Sequence, residues 1–547
     1  MHATDKADHP LILDGENLTL SDVVRVARTP GYPLQLSEEA RARIQQSRAW
    51  VEAVQEKGMP VVYGVNTGFG SKATVSINQA KMRDLQRNLI MSHSAGVGKP
   101  LPIDVVRAAM VMRANTFAKG YSGVRLQIVE TLLQMLQKGV TPWVPEQGSV
   151  GASGDLAPLS HIALVLSRDI DAENRENSGL AYYFHKDVEE WELLPGWEAM
   201  RFAGIPRQVL ESKEGLALNN GTQISTALLG LAVYDALQLV KQADIAFALS
   251  LEALQGISAA FREEIHRLRP HPGQLITASN VRRLTEGSQL LDRHPEKVQD
   301  AYSIRCYPQV MAGVRDILDF IQKVIAVEIN ATNDNPIILT DLPEENKAIS
   351  GGNFHAQPIA LAADYLAIAL CEVGSIAERR IFRLSDKNLN NGLPSFLISN
   401  DGLESGLMVA QYTAASLVSE NKSLAHPASI DSIPTCENQE DHVSMAPVAA
   451  RKARAILENV QKIIAIELIY AAQALDLRLK TWSSKNSIPL PATVLGKGTA
   501  AAFQRFREEI DFLNQDRPLY VDLEKAVNLV KSGDLLRAVE EKIGELD

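Results

Sequence analysis

Gly221-Thr-Gln-Ile-Ser-Thr-Ala-Leu-Leu-Gly-Leu-Ala-Val-Tyr-Asp-Ala-Leu-Gln-Leu-Val-Lys-Gln-Ala-Asp-Ile-Ala-Phe-Ala-Leu-Ser-Leu-Glu-Ala-Leu-Gln255 decides the fold. A run this long and apolar on nearly all sides predicts a helix buried inside a bundle, since a surface helix would keep one polar face. Three further stretches match it. After Pro308, Val310, Val314, Ile317, Ile321 and Val324 recur at three- and four-residue intervals, and long helices are also predicted over Pro358–Arg383 and Pro447–Leu477. Four such helices form a central bundle, and their surplus apolar faces call for partners, so a homo-oligomer is expected. The chain divides by this reading into an N-terminal mixed region (1–220), the central long-helix bundle (221–480) and a C-terminal helical region (481–547). The fold class is mainly α.

Composition agrees and narrows the function. The 547 residues are long enough to bury a large core, and an aromatic content of 5% beside abundant alanine and leucine suits close helix packing. A net charge of −11 argues against a general nucleic-acid binder, which would show a basic face. Cys306, Cys371 and Cys436 lack metal-ligand spacing and leave one thiol over in any disulfide scheme, which fits a reduced cytoplasmic protein. The first ten residues lack the apolar centre of a signal peptide, and Ile224–Val240 is interrupted by Ser225, Asp235 and Gln238, so no membrane span is expected.

The N-terminal region has a different texture. Glu38–Glu56 is an amphipathic helical run. Tyr63-Gly-Val-Asn-Thr-Gly-Phe-Gly70 carries three glycines in eight residues and reads as a loop, with Gly68-Phe-Gly-Ser-Lys72 in the wrong order for a phosphate-binding Walker loop. Helical sequence resumes over about 78–92, ending at Ser92-His93, and over 102–137. Residues 169–198 read as an acidic, irregular surface insertion.

The most informative small residues lie in Gly148-Ser-Val-Gly-Ala-Ser-Gly-Asp-Leu-Ala-Pro-Leu-Ser-His161. If the amide nitrogen of Gly154 attacks the carbonyl carbon of Ala152 and two waters leave, the tripeptide closes into an imidazolone and Ser153 becomes an exocyclic methylidene. Glycine permits the tight turn, alanine leaves the ring uncrowded, and serine supplies the hydroxyl that is eliminated. The product is a carbon electrophile of a kind ordinary side chains cannot provide. A nucleophile elbow is excluded, because Gly151-Ala-Ser-Gly-Asp155 ends in aspartate where G-x-S-x-G needs glycine.

With its flanks, this segment resembles the signature of the ammonia-lyase and aminomutase family that uses a methylidene imidazolone (MIO) group. The similarity runs from about Leu11 to the last helix, through Glu214–Thr222, Gln299–Gln309, Gly351–His355, Ser419–Lys422, Leu424–Ser429 and Asn438–Met445. It implies a fold of the ammonia-lyase and fumarase kind, with the active-site loops in the N-terminal region. It implies MIO formed from Ala152, Ser153 and Gly154, with no dissociable cofactor and no metal. Tyr63, on a loop over the site, corresponds to the catalytic base, and Tyr302 is a further acid-base candidate. Arg305, whose planar donors suit a carboxylate, is the substrate clamp with Tyr302, Gln299 and Asn220. Phe354 lies beside the cofactor, while His93 and Glu420 face the substrate side chain. A small amino acid substrate and a homotetramer with shared active sites follow from the same resemblance.

Within the family, Tyr63–Gly70, Ser92-His93, Gly221–Thr226 and Ser419–Met445 together point to elimination of ammonia from L-histidine to give urocanate, because His93 and Glu420 offer polar partners to an imidazole. Asn219, where the family has an apolar residue, and Tyr307, where glutamine is frequent, depart from this pattern. A tyrosine or phenylalanine lyase or an aminomutase is the alternative, and a catalytically silent helical scaffold the remote one.

Overall fold

The computed structural model describes residues 9–70, 75, 77, 81–170, 175–398, 402–486 and 493–547. Its centre is the helix Gln223–Ala253. Around it pack the helices Ile103–Ala118, Gln357–Ser385 and Ala446–Asn486, with Tyr307–Glu328 against Gln357–Ser385. All four long helices expected from the sequence are present. Pro308 and Pro358 lie in the first turn of theirs, where a missing amide proton breaks no helical bond. One cluster of buried apolar side chains extends from Leu13 to Leu546, so the N-terminal, central and C-terminal segments share a core.

Two helices, Gln223–Ala253 and Gln357–Ser385, are long and apolar enough to cross a membrane by length and composition, which corrects the expectation that none would be. Their apolar windows are 78% and 67% buried inside the protein, where they form the bundle. Polar interruptions such as Asp235 lower the mean hydropathy of Gln223–Ala253 too little to remove it from this class.

The bundle also contains a buried ionic knot. Arg380 of Gln357–Ser385 donates from Nε and Nη2 to the Glu467 carboxylate of Ala446–Asn486 at 2.5 and 2.7 Å, both side chains fully buried. Ser250 of the central helix donates to the same carboxylate at 2.8 Å. The guanidinium lies 5.0 Å from the Tyr307 ring, which is stacked on Phe247 at 4.0 Å, and the Tyr307 hydroxyl donates to Asp244 at 2.8 Å. Tyr307 is therefore a core residue joining helices, and its departure from the family pattern does not reach the candidate site described below.

Two N-terminal expectations change. Residues 102–137 are split between Ile103–Ala118 and Leu126–Gln137, because Gly120 has φ +83° and a Cβ there would lie 2.4 Å from Arg43 Cβ. The chain turns at that close approach. The segment read as irregular contains an antiparallel hairpin, Leu180–His185 with Glu190–Pro195, which pairs with Val140–Pro142 into a three-stranded sheet. Tyr182-Tyr-Phe184 are strand-favouring residues whose signal was hidden by the acidic run before them.

Removing Glu467 leaves the Arg380 charge buried without its partner. The variant Glu467→Ala is expected to lose about 3–5 kcal/mol of stability in denaturant unfolding, whereas a loss below about 1 kcal/mol, typical of exposed pairs, would show that the knot is not a tie between helices.

Candidate active site

The Pro145–Gln147 strand leads into the turn that carries Ala152-Ser153-Gly154, and the helix Leu156–Leu166 begins directly after it. Two backbones meet here. Gly154 has φ +75° and forms a parallel bridge with Gly221, and a Cβ on Gly154 would lie 2.3 Å from the Gly221 carbonyl oxygen. That same oxygen accepts from the Asp155 amide at 2.6 Å. The Asp155 carboxylate accepts from the Ser225 amide and hydroxyl at 2.8 and 2.7 Å, which fixes the turn to the start of the central helix. Burial pushes Asp155 up to about 6, against the lowering effect of the Ser225 hydrogen bonds. From the other side, the Ser444 hydroxyl donates to the Gly151 carbonyl at 3.2 Å and the Met445 amide to Val150 at 2.9 Å.

Asn220 ends the short helix Glu214–Asn219, and its Nδ2 donates to the Ser153 carbonyl at 2.6 Å. Behind it, Arg113 is fully buried and donates to the carbonyls of Ala217 and Asn220 and to the Asn333 side chain. Burial lowers Arg113 to about 10, so it stays protonated at neutral pH. The neighbouring Asn219 turns its amide nitrogen to the Ser160 hydroxyl at 3.2 Å, tying Glu214–Asn219 to Leu156–Leu166.

A cavity of about 400 Å³ opens over the tripeptide, with Tyr63, His93, Ser153, Asn220, Phe354 and Glu440 among its lining residues. The Tyr63 hydroxyl accepts from the Gly70 amide at 3.1 Å. Burial raises the Tyr63 phenol above its ordinary value, the Gly70 hydrogen bond opposes this, and the neighbouring Glu440 charge adds to the rise. His93 ends the helix Met82–His93, with its Nδ1 3.0 Å from the Ser92 hydroxyl. Burial lowers His93, and the Leu89 backbone and the Glu440 charge oppose it, so the ring is poised as a neutral hydrogen-bonding group. Asn335 accepts from the Gly351 amide at 2.8 Å and holds the strip that carries Phe354.

Glu440 is the residue to which the sequence assigned no role. The Ser153 hydroxyl donates to its Oε1 at 2.6 Å, across 287 positions of chain, and the Thr435 hydroxyl donates to its Oε2 at 2.6 Å. Between Thr435 and Glu440, Cys436, Glu437 and Asn438 all have positive φ, from 51° to 66°. Each such residue costs roughly 1–2 kcal/mol, so a strained left-handed turn delivers the carboxylate. Its place in Asn438–Met445 was the only sequence signal, and nothing local distinguished it from Glu420.

Four expected site residues do not line this cavity within one chain. Gln299 is exposed, Tyr302 is 70% exposed, and Arg305 lies over the Tyr302 ring at 4.6 Å while its Nε donates to the Asp300 carbonyl at 3.0 Å. All three precede the helix Tyr307–Glu328. Glu420 is exposed on the helix Met408–Leu424.

A long-helix bundle with a glycine-bounded Ala-Ser-Gly turn at one end, facing a tyrosine, a histidine, an asparagine and a glutamate, defines a lyase class. The chain belongs to the aromatic amino acid lyase family, whose model matches residues 18–508. It is 50% identical over 97% of its length to a histidine ammonia-lyase of Caldanaerobacter subterraneus, covering 98% of that protein, and 48% identical over 97% to that of Alkaliphilus oremlandii, covering 99%. Among solved structures, the histidine ammonia-lyase of Trypanosoma cruzi is similar at a TM-score of 0.86 and 38% identity, covering 98% of this chain and 96% of that one. The tyrosine aminomutase of Streptomyces globisporus gives 0.88 and 37%, covering 98% and 100%.

The Gly154 approach makes a local prediction. Gly154→Ala places a methyl group against Gly221 in a conformation that disfavours side chains, so the turn cannot form as it stands. Its intact mass is expected to retain both waters that cyclisation would remove. A mass lacking two waters would contradict the steric argument.

Proposed function

We propose that this chain is a cytoplasmic histidine ammonia-lyase, converting L-histidine to urocanate and ammonia by means of an MIO group formed from Ala152, Ser153 and Gly154. The observation that carries the proposal is that Tyr63, His93, Asn220 and Glu440 line one cavity with Ser153, which Asn220 and Glu440 contact directly. The histidine ammonia-lyase relatives at 48–50% identity over nearly the full chain support it.

The residues fit the group. Gly154 is held in a turn that admits no side chain, Asn220 donates to the Ser153 carbonyl, and the Ser153 hydroxyl to be eliminated already rests on Glu440. When formed, MIO supplies the carbon electrophile that makes the substrate amine a leaving group. The side chains account for the rest of the reaction. His93 and Glu440 are polar partners for the imidazole and the amine, Phe354 is an apolar wall, and Asn220 orients the centre. Tyr63 takes the β-proton once the positive charge of bound substrate offsets the burial that raises its phenol. Glu440 is the second candidate for that proton, favoured by its 2.6 Å contact with Ser153.

The carboxylate clamp is proposed to come from neighbouring subunits of a homotetramer. Gln299 and Tyr302 stand exposed on one chain with Arg305 half-buried beside them, Glu420 is exposed as well, and the helices present Phe320, Val327, Tyr365, Ile368 and Tyr412 at 41–71% exposure. Apolar faces of this kind are covered in oligomers, and assembly would bring Arg305 to a cavity that otherwise has no guanidinium among its lining residues.

Ultraviolet absorbance of the purified protein with L-histidine tests the activity, with L-tyrosine and L-phenylalanine in parallel. Urocanate should form from histidine alone, and Tyr63→Phe and Glu440→Gln should each lower kcat by about 10²–10⁴-fold. Product from an aromatic substrate alone would discard the histidine reading. Co-expression of Ser153→Ala with Arg305→Ala subunits should recover activity that neither parent has. No recovery in mixed oligomers would contradict shared sites.

A further inference from the structure

His161 is fully accounted for by none of the roles above. It lies on the helix Leu156–Leu166, which starts directly after the tripeptide, and its ring Nε2 is 3.2 Å from the backbone N–H of Gly96. An amide can only donate here, so Nε2 must carry its lone pair and the ring is neutral, with its proton on Nδ1. Burial acts in the same sense, lowering His161 to about 4.

The acceptor holds a segment with a short path to the cavity. Gly96 is three residues beyond His93, and between them the Ala95 amide donates to the His93 carbonyl at 2.9 Å. On its far side Val97 pairs with Gln147, and Gly96 approaches Gly148 so closely that a Cβ on Gly148 would lie 2.9 Å from Gly96 Cα. The loop after His93 is thus pinned to the strand before the tripeptide by antiparallel strand pairing and close packing, and to the helix after it by one hydrogen bond. The Ser94 hydroxyl meanwhile donates back to Ile90 within the helix that carries His93, so it adds no tie to the tripeptide.

We propose that His161 is a positioning residue for substrate selection: through Gly96 it fixes the distance between His93 and the Ala152-Ser153-Gly154 centre. This inference rests on the lyase reading and on His93 contacting the substrate side chain. His161 touches no reacting atom. It acts by keeping the helix end bearing His93 in register with the helix that leaves the tripeptide; a loss of the acceptor leaves the pairing of Val97 with Gln147 in place but removes the tie to that helix, without emptying the cavity.

The test compares variants that keep or lose the acceptor, each checked by intact mass for loss of two waters. His161→Leu should raise KM for L-histidine about tenfold with kcat within about twofold, the pattern of lost ground-state binding. His161→Gln, which can accept from Gly96, should stay within about threefold of the wild type. In a His93→Ala background the His161→Leu effect should shrink to about twofold or less, because the two residues act through one contact. An unchanged KM, or the same factor in both backgrounds, would overturn the proposal. Should His161→Leu not fold, His161→Phe keeps a ring, lacks the acceptor and decides by the same two comparisons. Absence of urocanate from the wild-type protein would instead count against the lyase reading itself.

Discussion

The contact between the backbones of Gly154 and Gly221 is the constraint on which the structure turns. It joins the candidate electrophile to the N-terminal end of the central helix with no side chain between them. Every other tie reinforces it. Asp155 reaches Ser225 on the central helix, Asn220 reaches back to Ser153, and Arg113 braces the carbonyls on either side of Asn219. A bundle of long helices is a stiff frame, and it is joined here to the segment that the proposed cyclisation would need held in a tight turn. That is how a protein preorganises a site whose chemistry resides in its own backbone.

The second feature is the economy of charge around Ser153. Glu440 is the carboxylate that touches it, and Tyr63 and His93 both sense its charge. The left-handed turn at 436–438 delivers that carboxylate at an energetic cost the surrounding hydrogen bonds to Thr435 help to offset. Strain of this kind is characteristic of functional sites, where geometry matters more than local stability. The positive charge that a carboxylate substrate needs stands elsewhere on the surface, at Arg305, which makes assembly part of the site's chemistry in the account proposed above.

Much of this was legible in the sequence. The helical periodicities named the long helices because burial on nearly all sides leaves an unmistakable apolar run, and the prolines marked their first turns. Tyr63, His93, Asn220 and Phe354 stand out from motif blocks, and they line one cavity with Ser153. What could not be read was tertiary. Glu440 and Glu420 are both glutamates in polar surroundings, and only a contact spanning 287 positions separates their roles. The hairpin at 180–195 was masked by its acidic neighbours. Tyr307 departs from the family pattern at a position that stacking on Phe247 places in the core, and the apolar helices match membrane spans in mean hydropathy despite their polar interruptions.

The central claim is that Ala152-Ser153-Gly154 becomes an electrophile. It is tested most directly by the near-ultraviolet difference spectrum between the wild-type protein and Ser153→Ala, without substrate. The account predicts an added absorption band from a conjugated imidazolone, present in the wild type and absent from the variant. Superimposable spectra would mean that the ring does not form, and the turn would then be a structural junction between two helices.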